Sequence, residues 1–209
     1  MHFDKVGFIG LGLIGGSIAR KMKENNPKVS IIATAGHQQT IDDAFGLGLI
    51  DNNELLELNS FKDCDVIFLC APVNKNIEYL TQLKDIIKDD CIITDVGSTK
   101  TQIHEKVIEL GLEHNFIGGH PMTGSEKTGI LNSDKQLLEN AYYIITPTAA
   151  TTEENLNNFR QFVLSLGSIA LILDYRDHDH ATAAISHLPH MIAYSLVNLI
   201  EHIDRKSVV

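Results

Sequence analysis

The sequence predicts an α/β protein with a doubly wound, mostly parallel sheet, and three observations carry that reading. Short apolar, β-branched runs alternate with amphipathic stretches through the first 120 residues. Those runs are apolar almost throughout rather than at alternate positions, the pattern of strands covered on both faces. A glycine-rich turn follows the first run directly and opens the first helical pattern.

The elements follow in order. Strands are expected at 5–9 (KVGFI), 29–33 (VSIIA), 65–70 (DVIFLC) and 91–95 (CIITD), with a weaker fifth at 115–117. Helical periodicity fills the intervals at about 13–24, 38–47, 74–87 and 100–110. A further strand at 142–146 (YYIIT) ends at Pro147, a helix at 152–166 is stopped by Gly167, and a last strand covers 169–173. From Arg176 onward the pattern is helical, with Pro189 the strong breaker. A helix of ~25 residues or more is unusual inside one compact domain. The expected division is therefore a dinucleotide-binding domain over 1–175 and, over 176–209, a long helix that begins a helical domain.

Composition narrows the classes. A chain of 209 residues suits one domain or one and a half. Its net charge of −10 argues against nucleic-acid and anionic-membrane partners, though not against a local positive pocket for an anionic substrate. Cys64, Cys70 and Cys91 show no CxxC spacing, and two lie in apolar runs, as expected of reduced core thiols in a cytosolic protein. The N-terminus has no signal-peptide pattern, and no apolar run reaches the ~18 residues of a membrane span. A soluble, cytoplasmic protein is expected.

The glycine turn reads KVGFIGLGLIGGSIARKMK, with Gly10, Gly12 and Gly15 in GxGxxG spacing. Between strand and helix this spacing marks a Rossmann-type pyrophosphate cradle. The first glycine permits the turn, the second lets backbone approach the anion, and the third lets helix and strand pack closely. Leu13 and Ile14 would offer N–H groups at the helix start. The second strand ends in Thr34, Ala35 and Gly36, where a carboxylate would otherwise hold the ribose of NAD. Thr34 becomes the expected contact, and NAD against NADP stays open. Ala71-Pro72 after the third strand would flank the cofactor, or Pro72 would simply start a helix.

In such a sheet ligands sit beyond the carboxyl ends of the strands, and two unusual stretches belong there. DVGSTKTQ supplies Ser98, Thr99 and Lys100, with a helix N-cap the plain alternative for the hydroxyls. GGHPMTGSEKTG sets His120 and the pair Glu126-Lys127 among glycines in what reads as an irregular loop. Far downstream, DHDHATAAISHLPH gathers His178, His180, His187 and His190 beside Ser186. His187 and His190 share a helical face, a spacing that also suits a metal, but no cysteine or carboxylate pattern completes a set. No metal is expected. The remaining readings are a structural cluster or the polar wall of a cleft.

Taken together, VGFIGLGLIGGSIA, TDVGSTK, GGHPMTGSEKTG, NAYYIITPT and ISHLPHMIAYSL resemble the prephenate dehydrogenase family, including its arogenate-using relatives, from Val6 to about Leu199. The resemblance implies NAD- or NADP-dependent oxidation at C4 of prephenate with loss of carbon dioxide, giving 4-hydroxyphenylpyruvate on the route to tyrosine. It implies His120 as the base for the C4 hydroxyl and Ser98 as its second contact. Lys100, Glu126, Ser186, His187, His190 and His178 would belong to the substrate pocket. A base of ordinary pKa near 6.5 would lose activity as it is protonated.

Family members continue into a helical dimerisation domain that also supplies an arginine for a substrate carboxylate. This sequence stops at Val209, Arg205 matches no such motif, and the resemblance therefore implies a truncated member. A homodimer is expected if that domain is present. The competing readings are an arogenate dehydrogenase, a cofactor-binding fragment without turnover, and a metal-dependent hydrolase built on the histidine cluster.

Overall fold

The computed structural model describes residues 3–204; Arg205 and the residues after it lie outside the described part. Strands β1 (Lys5–Ile9), β2 (Ser30–Thr34), β3 (Val66–Leu69) and β4 (Ile92–Asp95) form a parallel sheet in the order β2-β1-β3-β4. β5 (Ile117–Pro121), β6 (Tyr142–Pro147) and β7 (Ile169–Ile172) form a second sheet. The two join where Ile93 bridges Phe116 in parallel and its N–H donates to the Asn115 carbonyl at 2.6 Å. β6 runs antiparallel to β5, while β7 is parallel to β6.

Helices cover both faces, as the apolar runs require. Helix α1 (Leu13–Asn25), α2 (Gln38–Gly46) and α5 (Glu153–Ser165) enclose Val6, Phe8 and Phe68 on one side. Phe8 and Phe68 stack there with ring centroids 4.9 Å apart. Helices α3 (Val73–Leu83) and α4 (Thr101–Leu110) cover Ile9, Ile67 and Ile93 on the other. Each side chain this size contributes about 1.5–3 kcal/mol on burial, so the alternation of faces along β1 and β3 fixes their register.

Two expectations need correction. The fifth strand is not 115–117 but Ile117–Pro121, so IGGHP is a fully buried strand and not an irregular loop. Glycine and proline have poor strand propensity, and here tertiary packing overrides it. Both glycines are required by neighbours: a Cβ on Gly118 would lie 2.2 Å from Thr146 Oγ1, and one on Gly119 2.7 Å from Tyr143 Oη. They make room for protein side chains rather than for a ligand.

The second correction concerns Pro189. Helix α6 (Tyr175–Thr182) passes through a π-turn, Ala183–His187, straight into α7 (Leu188–Asp204), with Pro189 inside it. A proline ring inside a helix collides with the carbonyl four residues back. The N–H of Leu188 instead reaches the carbonyl of Ala183, five residues back, and this wider turn accommodates Pro189. The helix therefore continues. Leu188, Met191, Tyr194, Val197 and Ile200 along it are all more than half exposed. Read as one helix, Tyr175–Ile200 is also long and apolar enough to cross a membrane by length and composition, with mean hydropathy 1.2. Counting unbroken apolar runs missed this because uncharged polar residues interrupt the stretch.

Candidate active site

The glycine turn is built as its spacing predicts. Gly10 has φ of +90°, and a Cβ on it would meet the backbone nitrogen of Ala71 at 2.5 Å. Around Gly12 a Cβ would find nothing within 4 Å, so this is the open approach to the helix end. At Gly15 it would press on Cys70 Sγ at 3.1 Å, which is the close helix–strand contact. Helix α1 carries no side-chain cap and no acid in its first turn, leaving its N–H groups and positive dipole end for an anion.

A groove runs across this turn in two adjoining cavities. One, of about 370 Å³, is lined by Gly10, Gly12, Ala35, Gly36, Thr40, Ala71, Pro72, Lys75 and Tyr79. The other, of about 560 Å³, is lined by Gly12, Leu13, Ile14, Gly15, Val96, Gly97 and residues of the loop after β5. Pro72 lines the groove and also caps α3. Asn76 holds this turn by donating to the Leu69 carbonyl and accepting from the Ala71 N–H, both at 3.2 Å. Thr34 is corrected. Its carbonyl accepts from the Gly10 N–H at 2.9 Å, and the cavity wall begins one residue later at Ala35. Cys70 also lines both cavities and is only partly buried, unlike the core thiols Cys64 and Cys91.

His120 sits on β5, 8 % exposed. Its Nδ1 lies 2.8 Å from Nε2 of His178 on α6, and Nδ1 of His178 lies 2.8 Å from Oδ1 of Asp179. The Asp179 carboxylate also accepts from the backbone N–H groups of Lys100 at 2.7 Å and Thr101 at 2.8 Å, capping α4 from a neighbouring helix. This removes the N-cap reading of Ser98 and Thr99. Burial works against the ionised Asp179, but hydrogen bonds from Thr101, His178 and Lys100 hold it below the usual carboxylate range.

An ionised carboxylate only accepts, so Nδ1 of His178 must donate to it. Neutral His178 then accepts at Nε2, and His120 must donate from Nδ1. The lone pair of His120 is thereby placed on Nε2. Burial, then the Lys100 cation and His178, push the pKa of His120 down to about 3, so the ring is neutral near neutral pH. The group is a preformed proton acceptor.

Lys100 is corrected as a substrate contact. Its side chain is fully buried, and its ammonium pairs with Asp95 and donates to the Gly119 carbonyl at 2.7 Å. Asp95 accepts in turn from the N–H groups of Gly97 at 2.9 Å and Gly119 at 3.3 Å. The pair ties the end of β4 to the strand carrying His120. His178 is corrected likewise, from pocket wall to buried hydrogen-bond partner of His120.

The other expected residues are surface groups. Ser98 is exposed on the turn before α4, and its hydroxyl has no partner among the described residues. Glu126 is exposed and accepts weakly from Ser125 Oγ at 3.4 Å. Ser186 and His187 lie exposed on the π-turn and His190 on α7; His187 is near enough for its charge to disfavour protonation of His120. Among the described residues no three His, Cys, Asp or Glu side chains converge on a possible metal position.

Sequence reasoning gave no site role to Asp95, Asp179, Val96, Gly97 or the loop residues Ser125, Lys127 and Thr128, although Lys127 stood out in its Glu-Lys pair and Asp179 lies directly beside a histidine in DHDH.

The fold thus presents two features, a glycine-turn groove of the dinucleotide-binding kind and a neutral histidine oriented through a carboxylate. The chain matches the family "Prephenate dehydrogenase, nucleotide-binding domain" over residues 18–171 and "Prephenate dehydrogenase, dimerization domain" over residues 174–208. It is 38% identical over 196 residues to a prephenate dehydrogenase of Lactococcus lactis, covering 92% of this chain and 53% of that protein. Two solved structures are also similar. One is the prephenate dehydrogenase of A. aeolicus in complex with hydroxyphenyl propionate and NAD+, with TM-score 0.88, 30% identity, and 97% of this chain and 71% of that chain covered. The other is the arogenate dehydrogenase of Synechocystis, with TM-score 0.84, 34% identity, and 93% and 68% covered. The chain belongs to the prephenate dehydrogenase family. It spans about half the length of two curated relatives it matches, 53% of the Lactococcus lactis protein and 54% of a prephenate dehydrogenase of Bacillus subtilis.

Proposed function

We propose that the chain carries the cofactor site and catalytic base of an NAD(P)-dependent prephenate dehydrogenase. The observation that carries the reading is the Asp179–His178–His120 series, which leaves Nε2 of His120 unprotonated and the ring neutral. The groove fits the cofactor on its own geometry: space opens at Gly12, α1 ends uncapped beside it, and no acid lines the cavity. Gly10, Gly12, Leu13, Ile14 and Gly15 would hold the pyrophosphate, with Ala71 and Pro72 along its edge. When bound, the nicotinamide supplies the acceptor for the two electrons and hydrogen leaving C4.

The protein's part is removal of one proton and alignment. Nε2 of His120 takes the hydroxyl proton as the C4 carbonyl begins to form, and exposed Ser98 is the second group assigned to that hydroxyl. His178 and Asp179 keep the ring in the accepting tautomer and stabilise it as it gains charge. Loss of carbon dioxide then aromatises the ring, so neither a metal nor a covalent nucleophile is assigned. Glu126, Ser186, His187 and His190 belong to the surrounding polar rim.

NAD is the assigned cofactor, supported by the A. aeolicus complex. NADP is kept beside it, because no carboxylate lines the ribose end of the groove. Arogenate is the second substrate reading, favoured by the likeness to the Synechocystis enzyme. A homodimer through the apolar face of α7 is assigned on the dimerization-domain match, with the dinucleotide-binding domain over 1–175 and the helical part from 176. The free thiols support a cytoplasmic setting.

Absorbance at 340 nm with this chain, prephenate or arogenate, and NAD or NADP in parallel tests the proposal. Reduction with one pair identifies substrate and cofactor together. Cofactor binding without reduction would mark the chain as a binding portion that needs the rest of its relatives' length.

A further inference from the structure

We infer that Lys127 is a cofactor ligand, closing on the diphosphate from the side of the groove opposite helix α1. The inference rests on the dinucleotide reading of the groove. Lys127 lines the same cavity as Gly12, Leu13, Ile14 and Gly15, and no other residue lining that cavity carries a charge. Its ammonium has no acid within ion-pair distance among the described residues, whereas Lys75, on the adjoining cavity, is engaged by Glu78 at 2.8 Å. Lys127 is exposed on the loop after β5, and an unpaired cation lining the same cavity as an uncapped helix N-terminus is unfavourable by itself, because both are positive. An anion between them reverses the sign of both interactions.

The loop's anchorage holds Lys127 at this place. Its backbone N–H donates to Ser125 Oγ at 3.1 Å, folding the loop tightly around residues 125–127. Three residues later Ile130 packs onto α1: a Cβ on Gly16 would fall 2.3 Å from Ile130 Cδ1 and 2.8 Å from Ser133 Cβ. Ser133 is held in turn by Arg20 of the same helix, Nε to Oγ at 2.7 Å. The end of the loop after β5 is thus packed on the helix that presents the pyrophosphate N–H groups, which keeps the backbone of residues 125–129 beside the groove. The glycine following Gly15 in the motif is required for this contact and not for the ligand.

Titration of the full chain with NADH, ADP and adenosine, for wild type, Lys127→Ala and Lys127→Arg, tests the inference. Lys127→Ala should weaken NADH and ADP about tenfold, the scale of one charge-assisted contact. Adenosine affinity should be unchanged, and Lys127→Arg should recover most of the loss. Equal NADH and ADP affinity in wild type and Lys127→Ala would overturn the inference. A higher KM for prephenate with NADH affinity intact would also overturn it, placing the cation on the substrate instead. If wild type binds no NADH, the dinucleotide reading itself fails, a result separate from either outcome for Lys127.

Discussion

Nε2 of His178 stands 2.8 Å from Nδ1 of His120, with the rings crossing at 74°. The two residues lie 58 positions apart, on a strand of the nucleotide-binding sheet and on the helix that leaves it. Because His178 is fixed on its other side by Asp179, the contact sets the direction of every proton in the series.

Replacing His120 by Asn removes the acceptor while keeping a similar volume. Turnover should fall by about 10²–10⁴, the range for loss of a general base, with NADH affinity near wild type. Turnover within twofold of wild type would remove His120 from the mechanism.

Asp179→Asn separates orientation from bulk. The amide can donate to His178 Nδ1, which inverts the series and puts a proton on the accepting face of His120. Turnover should drop at least tenfold, and weaker capping of α4 should cost about 1 kcal/mol of stability. Steady-state rates and thermal unfolding read the two losses separately.

The glycines of the cradle divide by what surrounds them. Gly12→Val faces open space, so it should keep the melting temperature and lose NADH binding. Gly10→Val, with φ of +90° and Ala71 at its back, should lower both. Calorimetry beside fluorescence titration distinguishes them, and a destabilised Gly12→Val would contradict the open approach.

Burial, with Lys100 nearby, lowers His120 to about 3, and burial first also lowers His104 to about 4, from an ordinary 6.5. Both are neutral when folded and protonate when unfolded, so the unfolded chain binds more protons below pH 6.5. Stability should be full above that value and fall as pH drops from 6.5 toward 3–4. The melting temperature in this window should fall less in His104→Asn. The acid limb of turnover due to His120 should likewise lie well below 6.5, contrary to the expectation from an unperturbed imidazole.

Lys100→Met would leave Asp95 buried without its cation. A loss of about 3–5 kcal/mol is expected in chemical denaturation. A stability change below 1 kcal/mol would show that the pair holds nothing together.

What could be read from the sequence was local. The demand for glycine at Gly10, Gly12 and Gly15 arises within one strand–turn–helix unit, so spacing alone displays it. Thr34 was misplaced by one residue because the end of β2 is set by its pairing with β1, where Ile9 faces Thr34. The histidine cluster could not be sorted, because sorting it requires knowing how α6 docks. Docking buries His178 and leaves His180, His187 and His190 outside. GGHP reads as a loop by composition, yet β5 is specified from outside by Tyr143, Thr146, Asp95 and His104. Lys100 looked like an anion site beside a serine and a threonine; its carboxylate partner lay five residues earlier, inside an apolar run.

The π-turn at Ala183–His187 also acts as a phase shifter. One extra residue in a turn rotates everything after it by about 100° relative to an unbroken α-helix. Histidines and apolar side chains downstream owe their bearing to that single insertion. Deleting one residue there would leave the composition of α7 almost untouched, yet it would swing Leu188, Met191 and Ile192 onto a different side of the molecule. Any partner of that face reads the helix through this gear.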